Sequence, residues 1–191
     1  MSNFLFETMP IPGPVLVRPR RFGDARGWFM ESWSREAFAK AGIGVLFVQD
    51  NHSLSAERGV LRGLHFQAPP AGQAKLVRVL RGAIFDVAVD LRRGSPSYGR
   101  WCAATLTADA AEQLFVPVGF AHGFVTLEPM TEVAYKVDSP YAPAQEGGLS
   151  WSDADLAIDW PIPPDGIRVS EKDRALPDLA GFDSPFVYSG T

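Results

Sequence analysis

Short runs of Val, Phe, Leu and Trp recur along the chain, each broken within a few residues by Gly, Pro, Asp or Ser, which is the rhythm of an all-β fold. The pattern predicts strands at Val15–Arg18, Gly27–Trp33, Val45–His52, Val60–Gln67, Leu76–Leu80, Ala83–Leu91, Tyr98–Leu106, Gln113–Val116, Gly123–Leu127, Glu132–Val137 and Leu149–Trp151. Arg81-Gly82 separates two of them and predicts a tight hairpin, because glycine accepts the positive φ that such turns need. Ser34 ahead of Arg35–Gly42 predicts one short helix, with a Ser N-cap, an early acid and a Gly stop, and a further helical turn is predicted near Glu171–Leu176 before Pro177. So little helix cannot cover a parallel sheet. The expectation is an antiparallel sandwich or barrel, a jelly roll being one solution that limits exposed edges, with ligands held in its mouth and an outer face free for dimer formation.

Length adds that the 191 residues form one domain, 1–191, whose Pro-rich C-terminal segment from about 160 wraps the surface. With 46% hydrophobic and 12% aromatic residues, a packed core and a lined pocket are affordable in apolar material, and disorder is disfavoured. The net charge of −4 argues against a nucleic-acid partner, whereas a small anionic ligand could be met by a few of the arginines concentrated in the first half of the chain. Cys102 is the single cysteine, so no internal disulfide and no paired-thiolate metal site can form, and it reads as a buried, inert thiol. There is neither a leader-like N-terminus nor an apolar run of ~20 residues, so a soluble, cytoplasmic protein with no membrane partner is expected.

Chemistry has few candidates. The three histidines are His52, His65 and His122. His65, by period two, shares a strand face with Leu61, Gly63 and Gln67; the small Gly63 and polar Gln67 leave room for a ligand, although a lone strand His is more often a satisfied core residue. Tyr135 is in phase with Val133 and Val137 and points inward, as a plain core tyrosine also would. Lys75 is in phase with Val77 and Val79, which is unusual for a lysine unless it is paired or at a rim. Asp173 sits in Ser170-Glu171-Lys172-Asp173, where helix capping is the ordinary reading, and only a fold could bring it to His65.

The segments Phe47-Val48-Gln49-Asp50-Asn51-His52-Ser53, Leu61-Arg62-Gly63-Leu64-His65-Phe66-Gln67 and Pro117-Val118-Gly119-Phe120-Ala121-His122-Gly123-Phe124 resemble the dTDP-4-dehydrorhamnose 3,5-epimerase family. Phe22-Gly23-Asp24-Ala25-Arg26-Gly27, Lys75-Leu76-Val77-Arg78, Phe85-Asp86-Val87-Ala88-Val89-Asp90, Ala134-Tyr135-Lys136 and Ser170-Glu171-Lys172-Asp173 extend the likeness in the family's order over nearly the whole chain. The resemblance implies a cupin-type jelly-roll β-barrel with short flanking helices, working as a homodimer, without cofactor or metal, on a dTDP-linked 4-keto-6-deoxyhexose. It implies His65 as base, Asp173 as its orienting carboxylate, Tyr135 as the acid on the other face of the sugar, Lys75 as the cation near the keto oxygen and His122 as a further active-site contact. Arg26, Glu31, Gln49, Asn51, Arg62, Glu146 and Lys172 match contacts to nucleotide, diphosphate or sugar, and Tyr141 an aromatic that stacks on the base.

Those residue types suit the reaction. Protons beside a C4 ketone are weakly acidic, and their loss leaves an enolate whose charge must be met where it develops. A neutral imidazole accepts the proton, a carboxylate fixes its tautomer, and a phenol returns a proton from the opposite face. Strict alternation puts Arg62 and His65 on opposite faces, so either Gly63 hosts a bulge or Arg62 reaches the ligand from the rim or from a partner subunit. Two rivals remain: a metal-dependent cupin, although the chain has no His-x-His pair with a following Glu, and a non-enzymatic sugar-binding module. The likeness to rhamnose-pathway members favours inversion at both C3 and C5, with inversion at one carbon of a related sugar as the alternative.

Overall fold

A computed structural model describes residues 2–190. One antiparallel sheet runs in the order β1 (Phe4–Thr8), β2 (Val15–Pro19), β10 (Gln113–Val116), β7 (Lys75–Arg81), β12 (Thr131–Val137) and β5 (Gln49–Ser55). The facing sheet runs β13 (Glu146–Gly148), β6 (Leu61–Gln67), β11 (Phe120–Thr126), β8 (Ala83–Asp90) and β9 (Trp101–Thr107). From β5 to β12 the chain crosses repeatedly from one sheet to the other, so that β10-β7-β12-β5 and β6-β11-β8-β9 make two four-stranded layers. That is the strand order of a jelly roll. A small ribbon, β3 (Phe22–Asp24) with β4 (Gly27–Phe29), joins neither sheet. The helices are short: α1 (Arg35–Lys40), capped by Ser34, and α2 (Glu171–Arg174), capped by Ser170.

Alternation along the strands divides the apolar residues into three layers. Leu16, Val77, Val79, Ile84, Ala88, Cys102, Leu106, Leu114, Val116, Phe120, Phe124 and Val133 fill the interior between the sheets. On the outer face of the first sheet, Val17, Leu76 and Phe115 pack with Phe4 of β1 and are covered by Phe38 of α1. Outside the second sheet, Leu64, Phe66, Val87, Val89 and Ala121 are covered by Leu149, Leu156 and Phe186, with Trp160 and Phe182 packed against them. A fully buried side chain of this kind stabilises by about 1.5–3 kcal/mol, which is why both outer coverings hold their sheets in place.

Several sequence expectations need correcting. Arg81-Gly82 does not close a hairpin: β7 and β8 lie in different sheets, and Gly82 turns the corner between them, at φ +78°, where a side chain would collide with Thr131. Local turn chemistry reads the positive φ correctly but cannot tell a hairpin from a sheet-to-sheet crossing. The strand expected at Gly27–Trp33 ends at Phe29, the one at Val45–His52 begins at Gln49, and that at Leu149–Trp151 is replaced by Glu146–Gly148. β1 and β3 carry too little alternation to be foreseen.

The interior face of β6 also departs from period two. His122 of β11 pairs with His65 and Phe124 pairs with Arg62, so β6 carries one residue more than β11 across this stretch. Arg62 and His65 therefore both reach the cavity, while Leu61, expected beside His65 and also at the cavity edge, packs in a separate cluster with Val125 and Ile162. Gly63 makes the bulge possible: at φ +120°, an added Cβ would lie 2.6 Å from Gly123 Cα and 2.7 Å from the His122 carbonyl oxygen.

Candidate active site

The interior opens at one end into a cavity of about 550 Å³ lined by Arg62, His65, Lys75, His122, Tyr135 and Asp173, among others. Residues far apart in sequence meet here because the two sheets deliver them from opposite walls. β6 and β11 carry His65 and His122 on adjacent paired positions, whereas β7 and β12 carry Lys75 and Tyr135. Asp173 comes from α2, outside both sheets. Its Oδ1 accepts from His65 Nε2 at 2.8 Å, and its Oδ2 accepts from the Gly63 backbone N–H at 3.4 Å. The proton is thereby held on Nε2, which leaves Nδ1 of His65 free to accept one. Lys75 Nζ lies 3.5 Å from the His65 carbonyl oxygen.

A second histidine–carboxylate pair stands beside the first. His122 Nε2 donates to Asp86 Oδ1 at 2.7 Å, with both side chains buried. Beyond these, Glu146 accepts from Tyr141 Oη at 2.6 Å and pairs with Lys172 at 2.6 Å, a cluster adjoining Asp173 in α2. Among the described residues no three His, Cys, Asp or Glu side chains are grouped so as to hold a metal ion, and no helix is long and apolar enough to cross a membrane.

A sequence profile described as dTDP-4-dehydrorhamnose 3,5-epimerase matches residues 8–181. The chain belongs to the dTDP-4-dehydrorhamnose 3,5-epimerase family. It is 47% identical over 188 residues to the dTDP-4-dehydrorhamnose 3,5-epimerase of Sinorhizobium fredii, covering 98% of this chain and 96% of that protein. The protein of the same name from Pseudomonas aeruginosa is 53% identical over 167 residues, covering 87% and 91%. Among solved structures, the dTDP-6-deoxy-D-glucose-3,5-epimerase of Legionella pneumophila, in complex with dTDP-4-keto-L-rhamnose, superposes with a TM-score of 0.92 at 40% identity, covering 97% of this chain and 99% of that one.

In this member of the epimerase family, electrostatics sort the cavity residues. Burial holds the His65 imidazole below its ordinary pKa of 6.5, and the opposing charge and hydrogen bond of Asp173 do not cancel it, so His65 is neutral at pH 7. Burial pushes the Lys75 ammonium down to about 8, against the attraction of Asp86 and Glu146. Burial raises the Tyr135 phenol, with the Arg62 charge pulling the other way, so it keeps its proton at neutral pH. Glu146 would be raised by burial, but hydrogen bonds from Lys172 and Tyr141 outweigh that and keep it ionised.

The remaining residues expected in the epimerase site are divided. Asn51 lies opposite Tyr135 in the β5–β12 pairing and accepts from Gln49 Nε2 at 2.8 Å; both alternate in phase with Ser53, which lines the cavity. Arg26 and Glu31 are elsewhere. Arg26 sits at the exposed turn of the β3–β4 ribbon, paired with Asp24 at 2.5 Å, and Glu31 accepts from Asn3 Nδ2 at 2.9 Å. Sequence reasoning missed Asp86, Ser53, Phe124 and Arg168 as neighbours of the site. The signal for Asp86 was present: an acid in phase with Ile84 and Ala88, on the apolar face of a strand.

Proposed function

We propose that this epimerase inverts C3 and C5 of dTDP-4-dehydro-6-deoxy-D-glucose, giving dTDP-4-dehydro-L-rhamnose, by metal-free proton transfer through an enolate. The observation that carries this reading is the opposition of His65 and Tyr135 on the two walls of one cavity, with Lys75 between the sheets beside them. His65 Nδ1 takes the proton from the carbon next to the ketone. The electron pair moves onto the keto oxygen, where the Lys75 ammonium meets the charge. Tyr135 then returns a proton to the same carbon from the other side, and Arg62 lies close enough to favour the phenolate so formed. Each inversion removes one proton and restores one, so no oxidant or cofactor is consumed. Arg62, Lys172, Gln49 and Asn51 supply charge and hydrogen bonds to the diphosphate and nucleotide, and Tyr141 supplies a ring for the base.

The working form proposed is a homodimer of one-domain subunits, residues 1–191, each wrapped by its own segment from about 160. The ribbon supports this, since Phe22, Trp28 and Phe29 are 41%, 58% and 67% exposed on strands that join neither sheet. Docked on a second copy, that ribbon carries Arg26 to a cavity it does not reach within its own subunit. A cytoplasmic location without nucleic-acid or membrane partners accords with the acidic composition and the single cysteine.

Incubation with the nucleotide 4-keto-sugar in deuterated water tests the reading. Label at both C3 and C5, an L-configured product by NMR, and a dimer mass by light scattering are expected. Label at neither carbon returns the protein to the sugar-binding reading, label at one carbon makes it a single-position epimerase, and sensitivity to a chelator revives the metal-dependent rival.

A further inference from the structure

Asp86 has no place in the roles above, yet its environment is unusual. The side chain is wholly buried inside the barrel. Oδ1 accepts from His122, and Oδ2, equally enclosed, has no hydrogen-bond partner among the described residues. A carboxylate in such a place is strongly disfavoured unless a cation answers it, and the cation of the facing sheet that lines the same cavity is the partly buried Lys75. The charged and titratable groups around Lys75 come from several elements: Asp86 from β8, Glu146 from β13 and His65 from β6 act on it directly, and His122 from β11 and Tyr135 from β12 line the same cavity, while β10 sets the apolar Val116 opposite it. Asp86 is the first of the two acids that favour the ammonium form against burial. Its field also reaches Cys102 on β9, where burial first and Asp86 second push the thiol up to about 12, which leaves that residue a packing group.

We propose that Asp86 is a positioning residue for the enolate side of the reaction, holding His122 with its proton on Nε2 and keeping Lys75 cationic beneath the keto oxygen. This rests on the epimerase reading and extends it to a residue that touches no substrate. With Nε2 committed to Asp86, the His122 nitrogen left to the cavity is Nδ1, an acceptor suited to a sugar hydroxyl next to the ketone. One buried carboxylate thus orients a hydroxyl acceptor and sustains the charge that the enolate needs.

Asp86→Asn separates this from a purely structural role, because it keeps the size of the side chain and an acceptor for His122. Exchange at C3 and C5 is measured from pH 5.5 to 9.5 with saturating substrate, with circular dichroism confirming the fold. The wild type is expected to lose rate as Lys75, whose pKa burial lowers to about 8, gives up its proton. Without the Asp86 charge, burial of Lys75 is less opposed, so the alkaline limb moves to lower pH and the rate at pH 8 falls about tenfold or more, consistent with loss of an electrostatic stabiliser. A folded Asp86→Asn enzyme with an unmoved alkaline limb overturns the proposal. Should the variant not fold, long-range proton–nitrogen NMR on the wild type reads the His122 tautomer directly: a proton on Nε2 supports the assignment, and a neutral ring protonated on Nδ1 overturns it. An inert wild type would instead sink the epimerase reading itself.

Discussion

Two histidine–carboxylate pairs stand side by side in this cavity with nearly equal hydrogen-bond lengths, 2.8 Å for His65–Asp173 and 2.7 Å for His122–Asp86, yet their surroundings differ. The His65 side chain is 28% exposed and that of Asp173 is 7% exposed, against 8% and 0% for His122 and Asp86. Asp173 has a second donor in the Gly63 N–H, whereas Asp86 Oδ2 has none among the described residues. A partly open imidazole with a fully satisfied carboxylate can gain and lose a proton as the reaction proceeds. A closed pair, out of reach of water and with one oxygen lacking a hydrogen-bond donor, is suited instead to holding its neighbours in place. The shared motif therefore says little until burial and the second oxygen are known.

The largest break in that comparison comes from His65→Gln. Loss of a positioned base costs ~10²–10⁴ in rate, so deuterium uptake at both C3 and C5 should fall by about that factor while the melting temperature changes little. Uptake within threefold of wild type would remove His65 from the mechanism and leave His122 as the base. His122→Gln is the informative companion, since it should leave measurable exchange at both carbons.

A second effect of comparable free energy reaches the pairs through the backbone. Gly63→Ala forces a Cβ against Gly123 Cα at 2.6 Å and imposes φ +120° on a residue that disfavours it. Overpacking and positive φ together should destabilise by about 2–4 kcal/mol, lowering Tm by roughly 5–12 °C for a chain of this size. Gly44→Ala is the control, for it meets nothing within 4 Å and should stay within about 0.5 kcal/mol of wild type. If Gly63→Ala behaves like Gly44→Ala in urea unfolding, the bulge does not set the register that brings Arg62 and His65 to one cavity.

How far these arrangements were legible in the sequence depends on the range of the interaction. Alternation alone placed Tyr135 with Val133 and Lys75 with Val77 on the inner face, and Gln113–Val116 has the bounds foreseen. The α1 cap at Ser34 was local and equally readable. The bulge at Gly63 was an open alternative because its cause lies on β11, which approaches too closely for a side chain. The corner at Gly82 was misread because both a hairpin and a crossing demand the same positive φ. The pairing of Asp173 with His65 came from the family resemblance alone, since a residue on α2 reaches β6 only after the C-terminal segment has packed on the outer sheet face.

The smallest expected effect separates the pairs most cleanly, because on the proposed mechanism each carboxylate controls a different limb of one pH profile. As the proposed base His65 must be neutral to act, so the rate should fall as pH drops through its folded pKa, which burial already places below 6.5. Asp173 opposes that depression through its charge and hydrogen bond, and Asp173→Asn removes the opposition; the acid limb should therefore move to lower pH. Folding stability carries the same sign. A histidine depressed on folding contributes stability fully present above pH 6.5 and lost as pH falls through the folded value, so in the variant, whose folded value is lower still, the loss should begin at the same pH but continue further into acid and be larger in total than in the wild type. Lys75, which takes its support from Asp86 and Glu146 rather than from Asp173, keeps its alkaline limb near pH 8 in Asp173→Asn. Profiles of exchange rate for the two Asp→Asn variants, normalised to their own maxima, should thus each shift one limb and leave the other in place. Movement of both limbs in either variant would mean that the carboxylates act as a single charged cluster and that the division between them is wrong.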